Sequence, residues 1–432
     1  MTETATPPLN RPLGPTRTAP VATVGESFGL LRLPRTVLFG PGQRRAVGPV
    51  VAEIGRSVLI CTDERLASGP ELAEIITSLE AEGVQVRVFG ETQPELPVSG
   101  ITDCVSGLVG TSIEVVIGVG GGSCLDMAKV VALLLSHGGT PQDYYGENLV
   151  PGPTMPLVAI PTTAGTGSEA TPVAVIADPD RAMKVGISSP YLIPQVAVCD
   201  PELTHTCPAS LTAASGIDAV VHLVESFTAT RRPATGSLAT ERVFVGKSDF
   251  TDMAALSGLE LMGRSLLTAH RSPFDAGARE DVMRASLYGG IALGTGGTAA
   301  AHALQYPIGA LTHTPHGFGT GALIPYVMRF NLPARVEEFG RIASALGAGA
   351  EAEDSVARAH AGIAAVDALV DGLGIPTLIE LGVREDQLPQ IAEYGLTAKR
   401  LVDNNPRPLD GEAMLAITRA AFEGDRSFPA IR

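Results

Sequence analysis

The sequence has no tryptophan, and aromatic residues make up only 4% of its 432 positions. That composition argues against the stacking platforms that hold sugars or single-stranded nucleic acid. Positive charge is also scarce: 31 Lys and Arg stand against 46 Asp and Glu, a formal net charge of −15. A nucleic-acid backbone or an anionic membrane surface needs clustered cations, so neither is expected as a partner. The five cysteines (Cys61, Cys104, Cys124, Cys199 and Cys207) are scattered without a CxxC spacing. Neither a disulfide framework nor a cysteine-based zinc knuckle fits, and a reducing, cytoplasmic setting is expected. Long hydrophobic runs are missing too. The longest candidate, 115–135, carries Asp126 and Lys129 and does not read as a membrane span. Residues 1–27 are rich in Pro, Thr and Ala and lack the apolar core of a secretory signal. They read as a flexible tail, with a transit peptide as the alternative.

What is present is a large core-forming content: 45% hydrophobic residues, with 49 Gly and 33 Pro. The length suggests two to three domains. From Thr36 to Pro201 short apolar runs (Val58–Cys61, Val84–Phe89, Val115–Ile117 and Leu157–Ile160) alternate with helical stretches. Continuous apolar runs of this kind mark parallel strands covered on both faces. Beyond Pro201 helical periodicity takes over, as in Leu256, Leu259, Gly263, Leu266 and Leu267. The expected fold is therefore α/β plus all-α: a Rossmann-like α/β domain over 28–201 and a helical domain over 202–432.

Two loops carry the phosphate-binding chemistry. The strand at Val115 runs into Gly120-Gly121-Gly122-Ser123 and then into a helix. Glycines there let backbone N–H groups approach a phosphate, and the helix N-terminus adds favourable dipole charge. The loop matches neither the G-x-G-x-x-G fingerprint nor a Walker loop, and a tight turn without a ligand is the alternative. A second loop, Pro161 to Glu169, leaves the next strand with a run of hydroxyl and glycine positions that suit a diphosphate and ribose. Asp63 ends the first strand of the domain, where it either accepts from a ribose 2′-OH or caps a helix.

The eight histidines are unevenly placed. Asp218 and His222 are i and i+4 on a helical stretch and so share one face. His302 and His316 lie fourteen residues apart further on, with His313 a competitor for the place of His316. An aspartate with three neutral imidazoles suits Fe(II) or Zn(II), with a position left open for a substrate oxygen. The remaining histidines (His137, His205, His270 and His360) have no acidic partner at chelating spacing and read as structural. No G-x-S-x-G elbow occurs, so serine-hydrolase chemistry is a poor fit.

Taken together, the chain resembles the iron-containing (group III) alcohol dehydrogenase family from about Thr36 to Ala421. The resemblance rests on Gly118 to Ser123 with Asp126 and Lys129, on Ile160 to Glu169, on Asp200 to Thr204, on Leu211 to Ala219, on Pro315-His316-Gly317, and on Asn405-Pro406-Arg407. It implies a dehydroquinate synthase-like architecture, with an N-terminal NAD-binding domain and a C-terminal helical metal domain. It implies Asp218, His222, His302 and His316 as metal ligands, usually to iron. It further implies that Gly120, Gly121, Gly122, Ser123, Thr162, Thr163, Thr171 and Lys184 contact the dinucleotide, and that Asp63 favours NAD(H) over NADP.

Two positions depart from the family pattern. Tyr306 stands where a second histidine often follows the first by four residues, which makes Tyr306 the candidate proton-handling residue. A tyrosine there resembles the hydroxyacid–oxoacid transhydrogenase branch. Glu95 replaces an asparagine common in relatives. The expected activity is reversible hydride transfer between NAD(H) and a small alcohol or aldehyde, with the metal polarising the substrate oxygen. A transhydrogenase that retains its NAD(H) is the alternative. A homodimer or larger homo-oligomer is implied as well.

Overall fold

The computed structural model describes residues 28–181 and 184–428, so the expected tail at 1–27 lies outside the described residues. The strands are β1 (Thr36–Phe39), β2 (Ser57–Cys61), β3 (Gln85–Phe89), β4 (Val115–Gly120), β5 (Gly146–Glu147), β6 (Leu157–Pro161), β7 (Val173–Ile176), β8 (Val185–Ser188) and β9 (Val196–Cys199). Six of them form a wholly parallel sheet in the order β1-β9-β6-β4-β2-β3. A small second sheet, β5-β8-β7, stands apart from it.

Both faces of the large sheet are covered, which is why its central strands are uninterrupted apolar runs. Leu59 and Val116 point into a core with helix α2 (Gly122–His137). Their neighbours Val58, Ile60 and Ile117 point the other way, onto Leu72, Ile75 and Leu79 of helix α1 (Pro70–Ala81). The chain steps outward from β2 to β3, then returns past β2 to lay down β4, β6 and β9 on the other side. The sheet order reverses between β2 and β4, and a ligand crevice is expected outside the carboxyl ends of those strands. Asp63 follows β2 there, and Gly120 to Ser123 follow β4.

Among the described residues no strand follows Cys199. The site is built from α3 (Ala209–Thr228), α4 (Asp249–Arg271), α5 (Ala276–Gly296), α6 (Ala300–Thr312) and α7 (His316–Asn331). Helix α3 is the hub: sixteen of its twenty residues are buried, which explains its near-continuous apolar composition. Gly216 permits the contact with α4, since a Cβ there would sit 2.3 Å from Leu266 Cδ1.

Candidate metal centre and cofactor cleft

Asp218, His222 and Glu225 occupy one face of α3 at i, i+4 and i+7. His302 lies in the first turn of α6, and His316 begins α7 directly after Pro315. The four predicted ligands are brought together. His222 Nε2 is 3.7 Å from Asp218 Oδ2, while His302 Nε2 and His316 Nε2 are 3.8 and 3.7 Å from Asp218 Oδ1. These separations exceed a hydrogen bond and suit atoms that share an ion between them. The rings of His222 and His302 stack at 4.9 Å, and those of His302 and His316 lie 5.3 Å apart. Ligand atoms of Asp218, His222 and His302 all fall within 4.8 Å of one another.

The remaining polar contacts orient these atoms. His302 Nδ1 is 2.7 Å from Glu225 Oε2, and Glu225 also accepts the N–H groups of Ala299 and Ala301 at the start of α6. His222 Nδ1 lies 3.3 Å from the Gly165 carbonyl. Thr320 donates its hydroxyl to Asp218 Oδ1 at 2.9 Å. His222 and His302 thus turn Nε2 inward with Nδ1 held by a carbonyl or a carboxylate, the arrangement that accompanies bound metals. His302 Nε2 is buried with no hydrogen-bond partner among the described residues. An orphaned buried nitrogen aimed at a carboxylate and two further imidazoles fits a divalent cation. Burial lowers the His222 imidazole and pushes that of His316 down to about 3, so both offer the neutral form that a metal requires. His313, the competitor, is 77% exposed and faces Glu95 at 3.5 Å, outside this cluster.

The glycine loop forms the opposite wall. Gly120 has φ +146°, and a Cβ there would meet Cys124 Sγ at 2.6 Å; at Gly122 a Cβ would meet Thr166 Cγ2 at 2.8 Å. Gly121 faces Thr163, whose side chain lies 3.6 Å from where a Cβ would stand. The Thr162 N–H donates to the Gly120 carbonyl at 2.9 Å, which ties the two loops together. Asp63 caps a short helix by accepting from the Leu66 N–H at 2.9 Å, and its second oxygen lies 3.9 Å from Cys124 Sγ at the edge of the loop. Both sequence readings of Asp63, cap and crevice residue, are therefore geometrically compatible. Thr171 is engaged with Lys129, which also donates to Ser168 and to the Val173 carbonyl. Lys184 pairs with Glu95 at 3.0 Å.

A cavity of ≈ 180 Å³ joins the two walls, with Gly122 and Ser123 on one side and all four acid and imidazole residues on the other. Lys184, Thr171 and Tyr306 also line it. The Tyr306 ring is 6.4 Å from that of His316, and burial pushes its phenol up. Sequence reasoning missed the roles of Glu225 and Thr320 around the cluster and the places of Phe244 and Arg400 in the cavity wall. Glu225 had a signal, the i+7 spacing from Asp218. Phe244 and Arg400 had none, because only tertiary folding brings them near.

Residues 34–201 match the family model described as iron-containing alcohol dehydrogenase, and residues 212–422 match that of the family's C-terminal region. The chain belongs to the iron-containing alcohol dehydrogenase family. Among relatives of this family is the sulfoacetaldehyde reductase of Bilophila wadsworthia, 33% identical over 80% of this chain and 86% of its own length. A crystal structure of 1,3-propanediol oxidoreductase superposes with a TM-score of 0.85 at 31% identity, covering 91% of this chain and 99% of that one. That of the sulfoacetaldehyde reductase from Bifidobacterium kashiwanohense, in complex with NAD+, gives a TM-score of 0.77 at 25% identity over 93% and 100% of the two chains. The dehydrogenase fold expected from the sequence is thus the observed one.

Proposed function

We propose that this chain is a metal-dependent oxidoreductase that transfers hydride reversibly between NAD(H) and a small alcohol or aldehyde. The observation that carries the reading is the orphaned Nε2 of His302, aimed at Asp218 in the cavity that the glycine loop closes from the other side. Asp218, His222, His302 and His316 would hold a divalent ion, with Fe(II) preferred in keeping with the family and Zn(II) compatible with the same donors. Such an ion supplies Lewis acidity toward a substrate oxygen, and NAD supplies the hydride acceptor. Glu225 holds the His302 tautomer, and the Gly165 carbonyl holds that of His222. Gly120 to Ser123, Thr162 and Thr163 would receive the diphosphate, Thr171 and Lys184 the nicotinamide half, and Asp63 the adenine ribose.

Tyr306 keeps its proton at neutral pH, because burial raises its phenol further above an ordinary value near 10. In this reading Tyr306 donates a hydrogen bond and shapes the pocket; it is not a base. Residues 28–201 act as the cofactor domain and 202–432 as the metal domain, in a cytoplasmic homo-oligomer. Among the described residues no helix is long and apolar enough to cross a membrane.

The test is anaerobic NADH formation by Fe(II)-loaded protein with short alcohols and diols. Free NADH appearing with an alcohol supports the reading. Product that forms only once an oxo acid is added, with no free NADH, would replace it by the transhydrogenase.

A further inference from the structure

A second cavity, ≈ 640 Å³, adjoins the cleft and shares Val173, Lys184, Tyr306 and Arg400 with it. Arg181 and Lys399 also stand in its wall, so four cations converge there in a chain of net charge −15. No local pattern announces this cluster, since 181 and 184 meet 399 and 400 only through the fold. Among the described residues the one acid in the wall, Glu147, is engaged: its Oε1 accepts the backbone N–H groups of Val243 and Phe244. Lys184 is already paired with Glu95, and Arg181 is exposed, with Cζ 5.9 Å from the centroid of the Tyr145 ring.

Arg400 differs from these. It is half-buried, and among the described residues its guanidinium makes neither an ion pair nor a hydrogen bond. Its Cζ lies 4.2 Å over the ring of Phe244, which is only 4% exposed and pinned through its own N–H to Glu147. Held over the ring face, the guanidinium keeps its N–H donors without a partner among the described residues, and such donors can grip a carboxylate or one face of a sulfonate. Its charge also reaches Tyr306, beside the metal-ligand set.

Building on the dehydrogenase reading, we propose that Arg400, laid on Phe244, receives the anionic head group of the substrate while the alcohol or aldehyde end reaches the Asp218 cluster. The substrate class is then a short hydroxy-carboxylate or hydroxy-sulfonate and its oxo counterpart. In the oxidative direction hydride passes from the carbinol carbon to NAD+ and the hydroxyl proton leaves to solvent. Arg400 takes part in no bond change and acts by binding. The cationic wall raises the local concentration of such anions, an effect that salt screens.

The experiment compares β-hydroxypropionate and isethionate with n-propanol on the Fe(II)-loaded protein at saturating NAD+, in wild type, Arg400→Met and Arg400→Lys. The quantity read is the ratio of kcat/KM for the charged substrate to that for n-propanol. We expect wild type to favour one or both anions, which separates the carboxylate source from the sulfonate. Arg400→Met should cut the ratio by about 10- to 100-fold, mainly through KM, as loss of a charge-assisted hydrogen bond does. Arg400→Lys should restore part of it, and added salt should lower it in wild type. A wild-type preference for n-propanol, or a ratio unchanged in Arg400→Met, overturns the proposal. So does a rise in KM for NAD+ that is equal for every substrate, since Arg400 would then serve the dinucleotide. Absence of turnover with all three substrates counts against the dehydrogenase reading instead. Calorimetric binding of isethionate and β-hydroxypropionate then decides the Arg400 site separately: binding lost in Arg400→Met supports it, and no binding by wild type overturns it.

Discussion

Glu225 Oε2 lies 2.7 Å from His302 Nδ1, and this contact fixes which nitrogen His302 turns toward Asp218. Glu225 is a positioning residue: it stands behind His302 and outside the cavity lining, and it also anchors the first turn of α6 through Ala299 and Ala301. Glu225→Gln keeps an acceptor but weakens the hold on the imidazole. Its Zn(II) affinity, measured by chelator competition, should fall about 10- to 100-fold, the usual effect of losing such a partner. An affinity equal to wild type would show that His302 does not depend on Glu225.

Gly121 has φ −75°, which any residue adopts, so Gly121→Val tests the space over the loop without backbone strain. Its side chain would fill the gap toward Thr163. NADH affinity, read by cofactor fluorescence, should fall by at least about 10-fold, with metal content unaltered. Unchanged NADH binding would place the dinucleotide elsewhere.

Asp63→Ser removes a charge while keeping a residue that caps helices well. The helix starting at Glu64 should persist, and the preference for NAD+ over NADP+ should drop by at least about 10-fold, because repulsion of a 2′-phosphate is lifted. Equal preference in variant and wild type would leave Asp63 with capping alone.

Glu169 is buried, and burial pushes its carboxyl up from 4.5 to about 7. The folded state therefore binds a proton that the unfolded state has released between these values, so this group's contribution to stability is lost as pH rises from 4.5 to about 7. The effect is on the order of 3 kcal/mol, at roughly 1.4 kcal/mol per pKa unit. Glu169→Gln should flatten that part of the Tm–pH curve and be the more stable protein at pH 8. Lys129, which burial lowers from 10.5 to about 8, acts in a separate window and with opposite sign: there stability rises with pH. Identical Tm–pH curves for wild type and Glu169→Gln would contradict the assignment.

Much of this was legible in the sequence because the informative features are local. Apolar runs revealed β2, β3, β4 and β6, and a one-turn spacing revealed Asp218 with His222. Strand β9 is as apolar as the others, Val196 to Cys199, yet four residues next to a helical half are a weak signal. Strand β1 is half-exposed at the sheet edge and carries no alternation. Residue chemistry left His313 open beside His316, and only the family resemblance pointed to His316; the physical reason lies in the turn after α6, where His313 adopts φ +52° and its side chain is directed toward Glu95. The shelf of Phe244 and Arg400 depends on two segments far apart in the chain, and no local pattern encodes it.

Asp218, His222, His302 and His316 are proposed to form one metal site that the activity requires. The most direct measurement is Fe(II) bound per chain after anaerobic loading, together with NADH formed from alcohol, in wild type and in His302→Ala. Close to one ion per chain is expected in wild type, and loss of both the ion and the activity in the variant, with the Tm of the metal-free proteins within a few degrees of each other. A His302→Ala protein that still binds one ion and still forms NADH would contradict it.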